Sequence, residues 1–175
     1  MNLPTFTSRI FLIFPNSMLS RLFVIFVCFL LQSSSFISIF NIQPNFILIG
    51  IVIVTLKNDL LDGIKIGLFA GLFQDIISYG TFGMGLFTKT LSGFFAALLK
   101  KQIFSDNILS KMLIVFLVTL LDGATSLILI NLFYTKVNIL NALYSTTLPI
   151  AICSGLILGV FLLFERILIG YVVNK

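Results

Sequence analysis

Residues 63–90 read GIKIGLFAGLFQDIISYGTFGMGLFTKT. Gly63, Gly67, Gly71, Asp75 and Tyr79 recur every fourth residue, which places them on one face of a helix. After the break around Gly80 and Gly83, a second row with the same spacing follows: Gly85, Lys89, Gly93 and Ala97. Rows of this kind let helix backbones come close together, so the stretch reads as two antiparallel neighbouring helices whose small faces turn inward. Each row carries one ionisable residue, Asp75 on the first and Lys89 on the second. What an otherwise apolar segment gains from them is the question that organises the rest of the chain.

The composition sets the terms. Of 175 residues, 59% are apolar and only 10% charged, and the mean hydropathy is +1.17, whereas charge makes up about a quarter of an ordinary soluble domain. This is the composition of an integral membrane protein. A helix needs roughly 20 residues to cross the hydrocarbon, so the length holds about five to seven spans and leaves no room for a soluble catalytic domain. The net charge of +5 comes from basic residues scattered singly between apolar runs, with no basic stripe and interleaved aromatics, and nucleic acid is not an expected partner. There is no His and no CxxC, and Cys28 and Cys153 each sit in an apolar run, so neither a metal site nor a cofactor is expected. No small-residue cleavage site follows the first long apolar run, which therefore reads as a retained span.

The apolar runs predict six spans at about 22–40, 44–56, 64–79, 82–99, 111–133 and 143–170. The second is short, and Pro44 suits its first helical position. Before the first span, SRIFLIF is too short to cross and lies at the interface or in a tail. Basic residues give an independent check, because cytoplasmic loops carry them. Arg9, Arg21, Lys57, Lys65, Lys100, Lys101, Lys111, Arg166 and Lys175 fall on one side and only Lys136 on the other, with Lys89 left inside a span. The expectation is one polytopic domain over residues 1–175, a six-helix bundle with cytoplasmic N- and C-termini. Glu165 and Arg166 read as an interfacial anchor, and the scattered Phe residues as lipid-facing bulk.

Asp75 lies about seven residues before a turn centred near Phe82 and Lys89 about seven after it, so the two share a depth of roughly 10 Å. The next hairpin, centred near Ser105, brings Asp122 level with Lys89. Thr119, Thr125 and Ser126 surround Asp122 at helical spacing, so all three charges occupy small or polar faces. A lone charge at mid-membrane costs on the order of 2.5 to 3.5 kcal/mol on insertion scales, and pairing reduces that cost. An Asp75–Lys89–Asp122 cluster tying the third, fourth and fifth spans together is therefore expected; a partner contact and transport chemistry, as a proton relay or substrate counter-ion, are the alternatives. Ala151, Gly155 and Gly159 form a further small-residue row, read as internal packing or as a docking face for a partner helix.

The order of these features resembles the MreD family of small rod shape-determining membrane proteins of bacteria. A short second span opening with Pro44 and Asn45 is followed by GLFQD, with Gly71 and Asp75, and then by Gly80 and Gly83 across a tight turn, similar to the family's G-L-x-x-D then G-x-x-G pattern. The specific motif covers about residues 44–91; size and span count fit along the whole chain. Lys89 and Asp122 are not tied to a family motif. The resemblance implies a non-enzymatic scaffold in the bacterial inner membrane, supporting cell shape and side-wall peptidoglycan synthesis. It implies an MreC-like bitopic partner, with MreB, RodA and a class B penicillin-binding protein in the same complex. The family also looks related in fold to the substrate-capturing S subunits of energy-coupling-factor vitamin transporters, which makes such a subunit the rival reading. Its external loops offer Asn41, Gln43, Asn45, Tyr79, Tyr134 and Asn138, a modest set for capturing a polar ligand. An enzyme acting on lipid-linked substrates is disfavoured, since no nucleophile with a base and no phosphate loop appears.

Overall fold

The computed structural model describes residues 18–33, 42–77, 82–103, 107–134 and 138–173. These residues are helical throughout apart from short connections: α1 (Met18–Ser33), α2 (Phe46–Lys57), α3 (Leu60–Ile77), α4 (Met84–Gln102), α5 (Ile108–Phe133), α6 (Ile139–Ala142), a π turn (Leu143–Thr147) and α7 (Leu148–Val173). The α6, π turn and α7 segments run on without a break, so the sixth apolar run forms one continuous helical path that begins four residues before its expected start. Two helical stretches, Ile108–Phe133 and Ile139–Phe164, are long and apolar enough to cross a membrane. The first expected span ended at residue 40; α1 covers it to Ser33, and the remainder lies outside the described residues, as do SRIFLIF, Tyr79, Gly80 and Lys136.

The short second run becomes the centre of the molecule. Helix α2 is apolar on every side, the pattern of a helix enclosed by others, and Leu48, Ile51 and Val52 are wholly buried against α1, α3, α4, α5 and α7. At twelve residues it is about 18 Å long, so both of its ends fall among neighbouring helices. Its first turn is satisfied from three directions. Asn45 caps the helix by accepting from the Leu48 amide at 3.2 Å, Gln32 of α1 accepts from the Phe46 amide at 2.7 Å, and Ser154 of α7 accepts from the Asn45 amide at 3.0 Å. Pro44 was expected to open the helix but precedes the cap, because the Asn side chain can accept an orphan amide and the proline cannot. At the other end, Asn58 Nδ2 donates to Val54 and Lys100 donates to the Asn58 carbonyl at 3.0 Å, tying α2 to the last turn of α4. Arg21 and Asp62 pair at 2.8 Å and tie α1 to the start of α3.

Pro149 explains the π turn. It offers no amide to the Ser145 carbonyl four residues earlier, and its ring would press on that carbonyl in α geometry. The helix widens by one residue instead, and Leu148 donates to the Leu143 carbonyl five back. Outward, every long helix shows large apolar side chains, among them Phe23, Phe69, Phe87, Leu132, Leu156 and Phe164.

Candidate functional site

The most extensive helix pairing is α3 with α4, and its register is set by glycine against backbone. A Cβ added at Gly71 would lie 2.5 Å from the Gly85 carbonyl oxygen and from Leu86 Cα; one at Gly67 would run into the Lys89 carbonyl, and one at Gly93 into that of Gly63. Gly63 thus faces Gly93, Gly67 faces Lys89 and Gly71 faces Gly85, a step of four on α3 matching a step of four on α4. The two glycine rows are the two sides of one seam.

That register redirects Asp75. One turn beyond Gly71, it lies past the first residue of α4 and not level with Lys89, because the hairpin turns about four residues earlier than the centre near Phe82 assumed from sequence. Its carboxylate accepts three backbone amides: Gly83 at 2.8 Å and Leu86 at 2.9 Å on Oδ2, and Gly85 at 2.8 Å on Oδ1. Helix starts leave amides without partners and carry partial positive charge, so a carboxylate delivered from the neighbouring helix satisfies both conditions together. Gly83, at φ +100°, adopts the left-handed conformation that turns its amide with the others toward Asp75. The bare Cα of Gly85 is also required, since a Cβ there would collide with the Asp75 carboxylate. The G-L-x-x-D and G-x-x-G elements, apart from Gly80, therefore form one structural unit: a cross-helix cap.

The expected three-residue cluster accordingly divides in two. Asp75 and Lys89 form no ion pair. Lys89 reaches the other way and pairs with Asp122 of α5 at 2.7 Å, with both side chains more than nine-tenths buried. Ser92, one turn along α4, reaches Asp122 Oδ1 at 3.2 Å and the Thr88 carbonyl at 2.8 Å. Lys89 donates to Asp122 Oδ2, while the single Ser92 hydroxyl proton is shared between the Thr88 carbonyl and Asp122 Oδ1, and two helices are joined by hydrogen-bonded charge in their interior. Nothing in the sequence singles out Ser92, although its place three residues after Lys89 puts it on the same face. Thr119 and Thr125 were expected around Asp122, but they return their hydroxyls to carbonyls of α5 itself.

The third row faces inward as well. Ala151 is fully enclosed; Gly155 lies against the Met112 carbonyl and Phe116, and Gly159 against the Met112 side chain. The outward positions on α7 include Ile152, Leu156 and Val160. A fourth close approach was not foreseen: Gly123, next to Asp122, receives the Thr147 side chain from the π turn. Among the described residues no three His, Cys, Asp or Glu side chains gather as a metal site would require.

The arrangement is thus a pinned hairpin, α3–α4, joined to α5 by one buried ion pair. No curated protein and no solved structure is similar to this chain at a significant level. The family model of the rod shape-determining protein MreD matches residues 10–172, nearly the whole length. That match spans every described helix and includes the Asp75 cap with its glycines, so the chain belongs to the MreD family of rod shape-determining membrane proteins.

Proposed function

We propose that this protein is a non-enzymatic, multi-pass scaffold of the cell-elongation complex in the bacterial inner membrane. In this reading the chain crosses the membrane six times with both termini in the cytoplasm, which the nine-to-one division of basic residues supports. The MreD family works in the rod shape-determining system with MreC and MreB; RodA and a class B penicillin-binding protein complete the proposed assembly, which supports side-wall peptidoglycan synthesis. The observation that carries this reading is how the interior polar groups are used. Asp75 is taken up by three amides of its own hairpin, and Lys89 by Asp122, so these charges hold helices together. The interaction surface is then the apolar exterior, where association depends on side-chain packing between helices.

Photocrosslinking in the native membrane tests this. A photoreactive residue at Ile152, Leu156 or Val160, three of the outward positions of α7, is expected to capture an MreC-like or wall-synthesis protein. The same probe at Gly155 or Gly159 is expected to capture none, since those positions face α5. Products that are ATPase-linked transporter subunits would replace the scaffold with the vitamin-transport reading.

A further inference from the structure

We infer that the exposed face of α6 and the π turn is where a second copy of this chain docks, the two copies meeting about a two-fold axis along the membrane normal. This goes beyond the scaffold reading and does not depend on it; it needs only a chain that lies in a membrane.

The first observation is a polar patch at a height where the rest of the exterior is apolar. Helix α6 and the π turn pack against α5 on one side. On the other, Asn138, Asn141, Tyr144, Ser145 and Thr146 are exposed. Contacts between the helices fix the height of this patch. Thr147 lies against Gly123, Lys89 pairs with Asp122 and Gly71 faces Gly85. These antiparallel registers bring Asn141 level with Leu129 of α5, with Phe82 just ahead of α4 and with Gln74 of α3. Among the described residues within three of those positions, every exposed side chain is apolar: Ile128 and Leu132 on α5, Phe73, Ile76 and Ile77 on α3, and Phe82. Hydroxyls and amides at the height of an apolar belt lose water and gain no partner from acyl chains, so they favour a neighbour that bonds them.

The second observation is that the patch is not used within its own chain. Thr146 returns its hydroxyl to the Ala142 carbonyl at 2.6 Å, and Asn138 makes no side-chain cap at the start of α6. The side chains of Asn141, Tyr144 and Ser145 have no hydrogen-bond partner among the described residues. The third observation, the chemistry of these groups, selects the occupant. A two-fold axis along the membrane normal preserves height, so each residue of the patch meets its own copy. A charged residue would repel that copy. An Asn amide and a Ser or Tyr hydroxyl each both donate and accept, so each can pair with itself, and the patch holds no charged side chain.

Oxidative crosslinking in native membranes tests the contact in the full-length protein, with Cys28 and Cys153 replaced by Ala. Leu140→Cys places a thiol inside the patch, at a position 66% exposed, without touching its polar groups. Ile76→Cys is the control: it is 63% exposed at nearly the same height, but on α3, whose neighbours are α1, α2 and α4. Leu140→Cys is expected to give a disulfide-linked dimer and Ile76→Cys little or none. The strength of the contact is read by energy transfer between copies labelled at Ile76→Cys, as lipid dilutes the protein in vesicles. Tyr144→Phe and Ser145→Ala each remove one oxygen from an exposed side chain, so the fold is undisturbed. Each is expected to shift the equilibrium about threefold toward monomer, the factor that corresponds to an average interhelical hydrogen bond of about 0.6 kcal/mol. Four results overturn the proposal: no dimer from Leu140→Cys, an equal yield from Ile76→Cys, an equilibrium that the two substitutions together leave unmoved, or a Leu140→Cys product joined to a different protein in place of a second copy.

Discussion

The α3–α4 seam and the α5–α7 seam are both lined with small residues, yet different things stand opposite their glycines. Across from Gly67, Gly71 and Gly93 lie main-chain carbonyls and Cα atoms of the partner helix. Across from Gly123 and Gly159 lie side chains, Thr147 and Met112. A backbone cannot step aside without moving a whole helix, whereas a methionine can change rotamer. The first seam is therefore rigid and is closed at its tip by the Asp75 cap. The second is adjustable, and it adjoins the only π turn among the described residues. Glycine spacing alone reports that helices approach closely; what faces the glycine decides whether the contact can yield.

The comparison is broken most severely at the ion pair that joins the hairpin to α5. Lys89→Met or Asp122→Leu alone leaves a buried charge without its counter-charge and should lower unfolding free energy by about 3–5 kcal/mol. The double replacement should recover most of that loss. Reversible denaturation in detergent, run as a double-mutant cycle, measures the coupling, and strict additivity of the two losses would show that the pair does not act as one.

Next in size is the rigid seam itself. Gly71→Ala forces a methyl group onto the Gly85 carbonyl and Leu86 Cα, and should cost about 3 kcal/mol because α3 and α4 must separate. A melting temperature close to that of the unsubstituted protein would mean that this seam yields as the other does. Asp75→Asn is expected to cost about 2 kcal/mol, since a neutral amide accepts fewer of the three hydrogen bonds and loses the charge that favours them. Amide exchange at Gly83, Gly85 and Leu86 should quicken about thirtyfold while exchange in the middle of α2 stays slow. Equal acceleration in both places would make Asp75 a determinant of global stability and not of the hairpin tip.

The smallest effect is expected at the adjustable seam. Gly159→Ala presses on the flexible Met112 side chain and should cost no more than about 1 kcal/mol, with Met112 turning to another rotamer. A loss as large as that of Gly71→Ala would abolish the distinction between the two seams.

Much of this was legible in the chain. Each apolar run overlaps a helix, although α1, α3 and the last path each start four residues before the run, and the four-residue rows on 63–71 and 85–93 lie on the faces by which α3 and α4 meet. Counting residues from Ser105 brought Lys89 level with Asp122, and the two side chains pair at 2.7 Å. The same count from Phe82 misplaced Asp75, since a centre assumed about four residues late changes the residue opposite by about eight, roughly two turns. The roles of Gln32, Ser92 and Ser154 left no distinctive signal, because a lone Ser or Gln in an apolar run looks alike whether it caps a neighbouring helix or bonds its own.

By itself the sequence determined what repeats along one dimension: which segments are apolar, which residues share a helix face and, through a motif of glycines and one Asp, the family. Only the tertiary structure decided what depends on ångström contacts between residues far apart in the chain. It enclosed the short α2 at the centre, gave Asp75 to the amides of Gly83, Gly85 and Leu86, and turned Ala151, Gly155 and Gly159 inward. The physical reason is that periodicity names a face but not its neighbour. The neighbour follows from register, and register is set by the few places where two backbones can touch.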